Sequence, residues 1–184
     1  MNFKITETEL SGVYLIEKVK FNDERGYFME FYRDDSLSNQ FSNIKFVQEN
    51  LSFSKRGVIR GLHFQRKPFS QGKLISVIHG KILDVAVNLM KDSKDFGKYV
   101  MRELSEENCR SFYIPDYFAH GFVAVEDSYV LYKTTQYYNK ESESGIRFDD
   151  PDIDVNWNTV DPVVSEKDSK LHLFKDLIEK GDHF

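Results

Sequence analysis

Short apolar runs, broken every few residues by glycine or by polar turns, dominate this chain. Residues 13–19 are apolar and β-branched, and 27–32 alternate weakly. Further runs at 45–48, 58–64, 73–78 and 81–89 follow. Within 81–89, Leu83, Val85, Val87 and Leu89 share one parity, while Asp84, Ala86 and Asn88 share the other. A period of two predicts a strand with unlike faces. Residues 98–104, 111–114, 118–125 and 129–137 continue the series. His79-Gly80-Lys81 predicts a tight hairpin, and Ser105-Glu106-Glu107-Asn108 a turn. Helical patterns are few. One short helix is expected over 34–41. A better one begins at Ser165, with Leu171, Phe174, Leu177 and Ile178 on an apolar stripe. Many short strands before a terminal helix predict a mostly β fold, a β-sandwich or jelly-roll barrel.

Composition narrows the picture. A length of 184 residues is most simply one domain with a full core. The 16 Phe and 10 Tyr supply rigid apolar area that favours sheets around an aromatic-lined interior. Net charge is −5 with no basic stripe, which argues against nucleic acid as a partner. Cys109 is the single cysteine, so no intramolecular disulfide is possible and a reducing compartment is expected. No apolar run approaches the length of a membrane span, and residues 1–7 carry no apolar leader core. The expectation is a soluble, cytoplasmic protein that does not bind membranes. The four prolines sit where strands would end, and no internal repeat or low-complexity linker is visible.

Candidate chemistry gathers in mid-chain. Arg60-Gly61-Leu62-His63-Phe64 places a guanidinium and an imidazole within four residues. Lys73, His120 and Tyr132 add a cation, a second imidazole and a phenol. Arg and Lys suit an anionic substrate, His suits general-base work, and Tyr can return a proton. Strict alternation sets Arg60 and His63 on opposite faces of a strand. A bulge at Gly61 resolves the conflict, as does an Arg60 that reaches the pocket from the strand's mouth. His120 reads equally well as a hydrogen-bonded core histidine. Asp168 reads first as a residue of a capped helical turn behind Ser165, and second as a carboxylate that orients His63. Asp84 is a rival for that orienting role. No metal or other cofactor is expected: position 65 is Gln65 and position 61 is Gly61, so His63 and His120 lack further strong ligands.

These residues fall within segments that together resemble one family. The segments are Asp23-Glu24-Arg25-Gly26, Phe46-Val47-Gln48-Glu49-Asn50, Arg60-Gly61-Leu62-His63-Phe64-Gln65, Gln71-Gly72-Lys73-Leu74 and Asp84-Val85-Ala86-Val87. Ile114-Pro115, Phe118-Ala119-His120-Gly121-Phe122, Leu131-Tyr132-Lys133, Trp157 and Ser165-Glu166-Lys167-Asp168 complete them, in order, over nearly the whole chain. They resemble the dTDP-4-dehydrorhamnose 3,5-epimerases, RmlC-type sugar-nucleotide epimerases of the cupin jelly-roll fold.

The resemblance implies metal-independent inversion of dTDP-4-dehydro-6-deoxy-D-glucose at C3 and C5, within dTDP-L-rhamnose biosynthesis for cell-surface polysaccharide. It implies His63 as the base, Asp168 as its partner, Tyr132 as the opposing acid and Lys73 as the group that stabilises an enolate. It implies substrate contacts from Arg60 and His120, and nucleotide contacts from Arg25, Glu30, Gln48, Glu49, Asn50, Tyr138, Glu143 and Lys167. A homodimer is also implied, with N-terminal strands of about residues 1–50 exchanged so that Arg25 and Glu30 complete the partner's site. One departure stands out: the family usually has Gln-Asp-Asn where this chain has Gln48-Glu49-Asn50. A single-centre epimerase or a 3,4-ketoisomerase on a related deoxysugar nucleotide is the alternative, and a non-catalytic nucleotide-binding cupin is a third reading.

Overall fold

The computed structural model describes residues 2–34, 41 and 44–184. Two antiparallel sheets face each other. Sheet I has the order β1 (Phe3–Glu7), β2 (Tyr14–Lys18), β10 (Arg110–Ile114), β7 (Lys73–His79), β12 (Ser128–Thr134) and β5 (Gln48–Ser54). Sheet II has the order β13 (Glu143–Gly145), β6 (Val58–Gln65), β11 (Phe118–Ala124), β8 (Lys81–Asn88) and β9 (Tyr99–Ser105), and the short β14 (Val163–Val164) runs parallel to the start of β6. A separate hairpin pairs β3 (Lys20–Asp23) with β4 (Gly26–Met29). This is the mostly β jelly roll that the strand spacing predicts, of the cupin type that the family resemblance implies.

Apolar side chains from both sheets fill the barrel. Ile75, Val77, Phe112, Ile114 and Val130 from sheet I meet Ile82, Ala86, Leu104, Phe118 and Phe122 from sheet II. Buried apolar area of this kind supplies the main driving force, at roughly 25 cal/mol per Å². The unlike faces of β8 divide in an informative way. Val85, Val87 and Leu89 point out of the barrel and lie beneath Ile146, Ile153, Trp157, Phe174 and Leu177 of the C-terminal segment. Asp84 and Ala86 therefore face inward. The apolar parity of this strand packs an outer layer, and its polar parity serves the interior.

Gly80 closes the β7–β8 hairpin with φ +81°, and a Cβ there would lie 2.2 Å from the Asp127 carbonyl oxygen. The expected turn at 105–108 is held by Ser105 and Asn108, which exchange backbone-to-side-chain hydrogen bonds.

Several boundaries differ from the expected ones. The strand expected over 45–48 starts where that range ends and runs to Ser54. That expected over 27–32 stops at Met29. β1, β3, β13 and β14 were not legible in the pattern. The C-terminal helix is two helices, α1 (Glu166–Ser169) and α2 (Phe174–Lys180). The chain breaks between them because the Phe174 N–H donates to buried Asp150 at 2.7 Å and His172 pairs with Ile146. The helix expected over 34–41 lies outside the described residues, apart from its two ends.

Candidate active site

A cavity of about 260 Å³ opens between the sheets, lined by Arg60, His63, Lys73, His120, Tyr132, Tyr138 and Glu143, with Ser52, Gln65, Gln71 and Phe122. Five strands and the loop after β12 thus deliver the candidate groups to one space. A larger groove, lined by Tyr14, Phe41 and Tyr113, holds none of them.

β6 carries the centre of the site. His63 Nε2 lies 2.8 Å from Asp168 Oδ1. Asp168 is nearly buried, and its other oxygen accepts the Gly61 N–H at 3.3 Å. The edge of β6 explains how α1 gains access. β14 pairs with Val58 and Ile59, and β13 pairs with residues 63–65, so the strand edge between them is open to α1. Ser165 caps α1 by accepting the Asp168 N–H at 3.0 Å, so the capping and the orienting readings of this turn both describe the structure. Burial pushes the Asp168 carboxyl upward. The hydrogen bonds from His63, Gly61 and Ser165 outweigh that effect and hold it below its ordinary range. With Nε2 engaged, Nδ1 is the His63 nitrogen left to accept a proton.

The same strand resolves the parity conflict between Arg60 and His63. His120 pairs with His63 and Phe122 pairs with Arg60, so two β6 residues, Gly61 and Leu62, stand against one β11 residue, Gly121. One extra residue shifts the side-chain parity, and both Arg60 and His63 face the cavity. Gly61 has φ +134°, and a Cβ there would lie 2.5 Å from Gly121 Cα. Only glycine meets both demands. The Arg60 guanidinium is braced by Ser54 Oγ at 2.9 Å and the Phe53 carbonyl at 3.0 Å.

Lys73 projects from β7, and its Nζ donates to the His63 carbonyl at 3.0 Å. Burial lowers its pKa to about 8, against the opposing pull of Asp84 and Glu143. Asp84 instead bonds His120, with Oδ1 2.7 Å from Nε2, so it does not compete for His63. Tyr132 stands on β12, in the sheet opposite His63. Burial raises its hydroxyl pKa, against the Arg60 charge, which keeps it protonated near neutrality.

At the mouth, Tyr138 OH donates to Glu143 at 2.8 Å, and Lys167 pairs with the same carboxylate at 2.6 Å. Gln48 accepts the Tyr138 N–H at 3.0 Å and donates to Asn50 at 2.9 Å. Gln48, Asn50 and Lys167 therefore border the cavity through these contacts. Three candidates lie away from it. Glu49 has the opposite parity on β5 and is ion-paired with Lys133 outside the barrel. Arg25 sits at the tip of the exposed β3–β4 hairpin, paired with Asp23 at 2.6 Å. Glu30 follows that hairpin and accepts from Asn2 at 2.9 Å.

Gln65 and Gln71, which stand in the motif segments with no site role assigned to them, also line the cavity. Gln65 bonds the carbonyls of Phe69 and Tyr137 and accepts the Asn139 N–H at 2.6 Å, which fixes the loop that bears Tyr138. Gln71 holds the Gln136 carbonyl at 2.6 Å. Each glutamine lies two positions from a recognised residue, His63 or Lys73, in the same motif segment, and that proximity was the available signal. Among the described residues, no group of three or more His, Cys, Asp or Glu side chains is placed to hold a metal ion. No helix among them is long and apolar enough to cross a membrane.

Comparison with known proteins matches this geometry to one family. Residues 7–176 match the family model described as dTDP-4-dehydrorhamnose 3,5-epimerase. A protein of that name from Methanothermobacter thermautotrophicus is 48% identical over 171 residues, covering 90% of this chain and 91% of the relative. The crystal structure of the dTDP-4-dehydrorhamnose 3,5-epimerase from Elizabethkingia anophelis superposes with a TM-score of 0.91 at 43% identity, covering 96% of this chain and 98% of that one. An epimerase from Legionella pneumophila, solved in complex with dTDP-4-keto-L-rhamnose, gives a TM-score of 0.90 at 39% identity, over 94% of this chain and 93% of that one.

Proposed function

The chain belongs to the dTDP-4-dehydrorhamnose 3,5-epimerase family, and from that premise we propose that its cavity inverts C3 and C5 of dTDP-4-dehydro-6-deoxy-D-glucose, giving dTDP-4-dehydro-β-L-rhamnose. The C4 ketone makes the C–H bonds at both carbons acidic. His63 takes the proton from one face. The C–H electron pair moves into a C=C bond, and the carbonyl oxygen becomes an enolate. The Lys73 ammonium stabilises that oxygen, where preorganised charge counts most. The Tyr132 O–H then protonates the carbon from the other face, and the enolate collapses to the ketone. Asp168 acts through His63, stabilising the imidazolium that forms. The observation that carries this reading is the pairing of His63 with Asp168 in one wall of a cavity whose other wall bears Tyr132.

Arg60 and His120 suit the sugar and diphosphate. Tyr138, Glu143, Lys167, Gln48 and Asn50 suit the nucleotide at the mouth. The whole chain acts as one domain and works as a homodimer. Its N-terminal hairpin crosses to the partner, so that Arg25 and Glu30 meet the nucleotide of the partner's site. This is supported by the exposed apolar tip of the hairpin, where Tyr27 and Phe28 are 57% and 71% exposed. The nucleotide-sugar substrate fits a cytoplasmic enzyme of dTDP-L-rhamnose biosynthesis.

The test is incubation with dTDP-4-dehydro-6-deoxy-D-glucose in heavy water, followed by NMR of the product. Deuterium is expected at both C3 and C5. Label at one carbon alone would identify a single-centre epimerase, and carbonyl migration would identify a ketoisomerase.

A further inference from the structure

One buried acid behind the cavity wall has no part in the chemistry above. Asp84 lies on the inward face of β8 and is fully shielded from solvent. Its Oδ1 is bonded to His120, and its Oδ2 has no hydrogen-bond partner. A carboxylate buried with one bare oxygen is costly unless a nearby cation offsets it. The surrounding groups identify that cation. β9 places Arg102 opposite Asp84 in register, but that guanidinium is engaged by Glu9 and the Met101 carbonyl. β11 supplies His120, β6 supplies His63, and β13 supplies Glu143. β7 supplies Lys73, whose hydrogen bond goes to a neutral acceptor, the His63 carbonyl. Lys73 forms no ion pair within 4 Å among the described residues.

We propose that Asp84 is a positioning residue of this site: it fixes the His120 ring and supplies the buried negative charge that keeps Lys73 a cation. The inference rests on the assignment of Lys73 to the enolate oxygen. The two charged groups face one dry interior from opposite sheets, and each sustains the other. Burial pushes Lys73 down while Asp84 and Glu143 pull it up. Burial likewise pushes Asp84 up, and the pulls of His120 and Lys73 offset only part of that rise. Burial, aided by Lys73 and His63 and opposed by Asp84, pushes His120 toward the neutral ring, so it partners Asp84 without adding a third charge.

Asp84→Asn separates this role from simple packing. The amide keeps the shape and can still accept from the His120 ring, but it carries no charge. Its turnover is expected to fall roughly fivefold at pH 8, with the alkaline limb of the kcat profile moved about one unit lower. The sign follows from the loss of an anion beside Lys73, which makes its ammonium easier to deprotonate. KM and Tm are expected to change little. An unaltered pH profile and an unaltered kcat would overturn the proposal. A second measurement covers a variant that fails to fold. In the wild-type protein, the 13Cγ resonance of Asp84 is expected to report an ionised carboxylate across the neutral range, and Lys73→Met is expected to raise its pKa. A carboxyl that stays protonated through neutrality would equally overturn the role. These NMR titrations read the charge pair whether or not any carbon is inverted, whereas wild-type deuterium exchange tests the reaction itself.

Discussion

His63 owes its reactivity to a carboxylate that arrives from more than a hundred positions further along the chain. Asp168 has its pKa depressed by what it binds, so it stabilises the fold in its ionised form. That contribution is fully present above the ordinary aspartate range near pH ~4 and is lost as pH falls through the lower folded value. Thermal melts of the wild-type protein are therefore expected to decline on acidification below about pH 4 more steeply than those of Asp168→Asn. An equal decline in both would show that the pairing contributes nothing to stability. The two proton-handling residues also separate in experiment. His63→Ala is expected to lose about 10²–10⁴-fold in turnover and in solvent exchange together. Tyr132→Phe retains the base but loses the opposing donor, so it is expected to keep exchanging C–H protons with solvent while forming little inverted product. Loss of exchange in Tyr132→Phe would mean that the phenol takes part in proton abstraction.

β6 is the element on which the site depends, and a single glycine controls it. Gly61 combines a positive φ with a backbone approach that leaves no room for a methyl group. Gly61→Ala is expected to cost roughly 1–3 kcal/mol from the backbone conformation alone. For a chain of this size that corresponds to a fall of about 2–4 °C in Tm per kcal/mol. Activity should fall further than stability, because straightening the bulge turns Arg60 or His63 out of the cavity. A variant as active and as stable as the wild type would remove the bulge from the argument. The conflict that this bulge resolves was legible in the sequence, since alternation alone sets Arg60 and His63 apart, and the bulge was one of two ways out. The strands from 58 to 124 were legible for the same reason, because apolar parity repeats along them. β5 was not. Its outward positions Leu51 and Phe53 are apolar and 61% and 44% exposed, while its inward positions Gln48, Asn50, Ser52 and Ser54 are polar. That inverted pattern hides a strand whose inner side lines a polar cavity. The partnership of Asp168 with His63 was legible from local pattern only as a second reading, and the family resemblance was needed to favour it. Local pattern sees first the turn that Ser165 caps, and the contact depends on a gap in strand pairing along β6. Glu49 shows a further limit: the motif groups it with Gln48 and Asn50, yet the pleat turns it to the other side of the sheet.

At the scale of the whole molecule, the barrel's two outer faces are treated differently. The C-terminal segment covers sheet II with Ile153, Trp157, Phe174 and Leu177. Across β5, β12 and β7, sheet I presents Leu51, Phe53, Tyr129 and Ile78 to solvent, with the Phe53 and Tyr129 rings 5.0 Å apart. The β3–β4 hairpin adds Phe21, Tyr27 and Phe28. Contiguous apolar surface of this kind is a signature of association, and a two-fold dimer covers one such face with its own copy. If the hairpin then delivers Arg25 across the dimer, each site needs two chains, and mixing can test this. Arg25→Glu keeps its own His63 but spoils its partner's site, whereas His63→Ala spoils its own site and still lends Arg25. Each variant alone is expected to be nearly inactive. Co-expressed in equal amounts, they form mixed dimers in about half of the population, each with one intact site of two, so activity should return to about a quarter of the wild-type level. Activity no greater than the average of the two variants measured separately would mean that Arg25 serves its own chain or none. Sedimentation of the mixed sample as a dimer would confirm that the failure lay with the exchange and not with assembly.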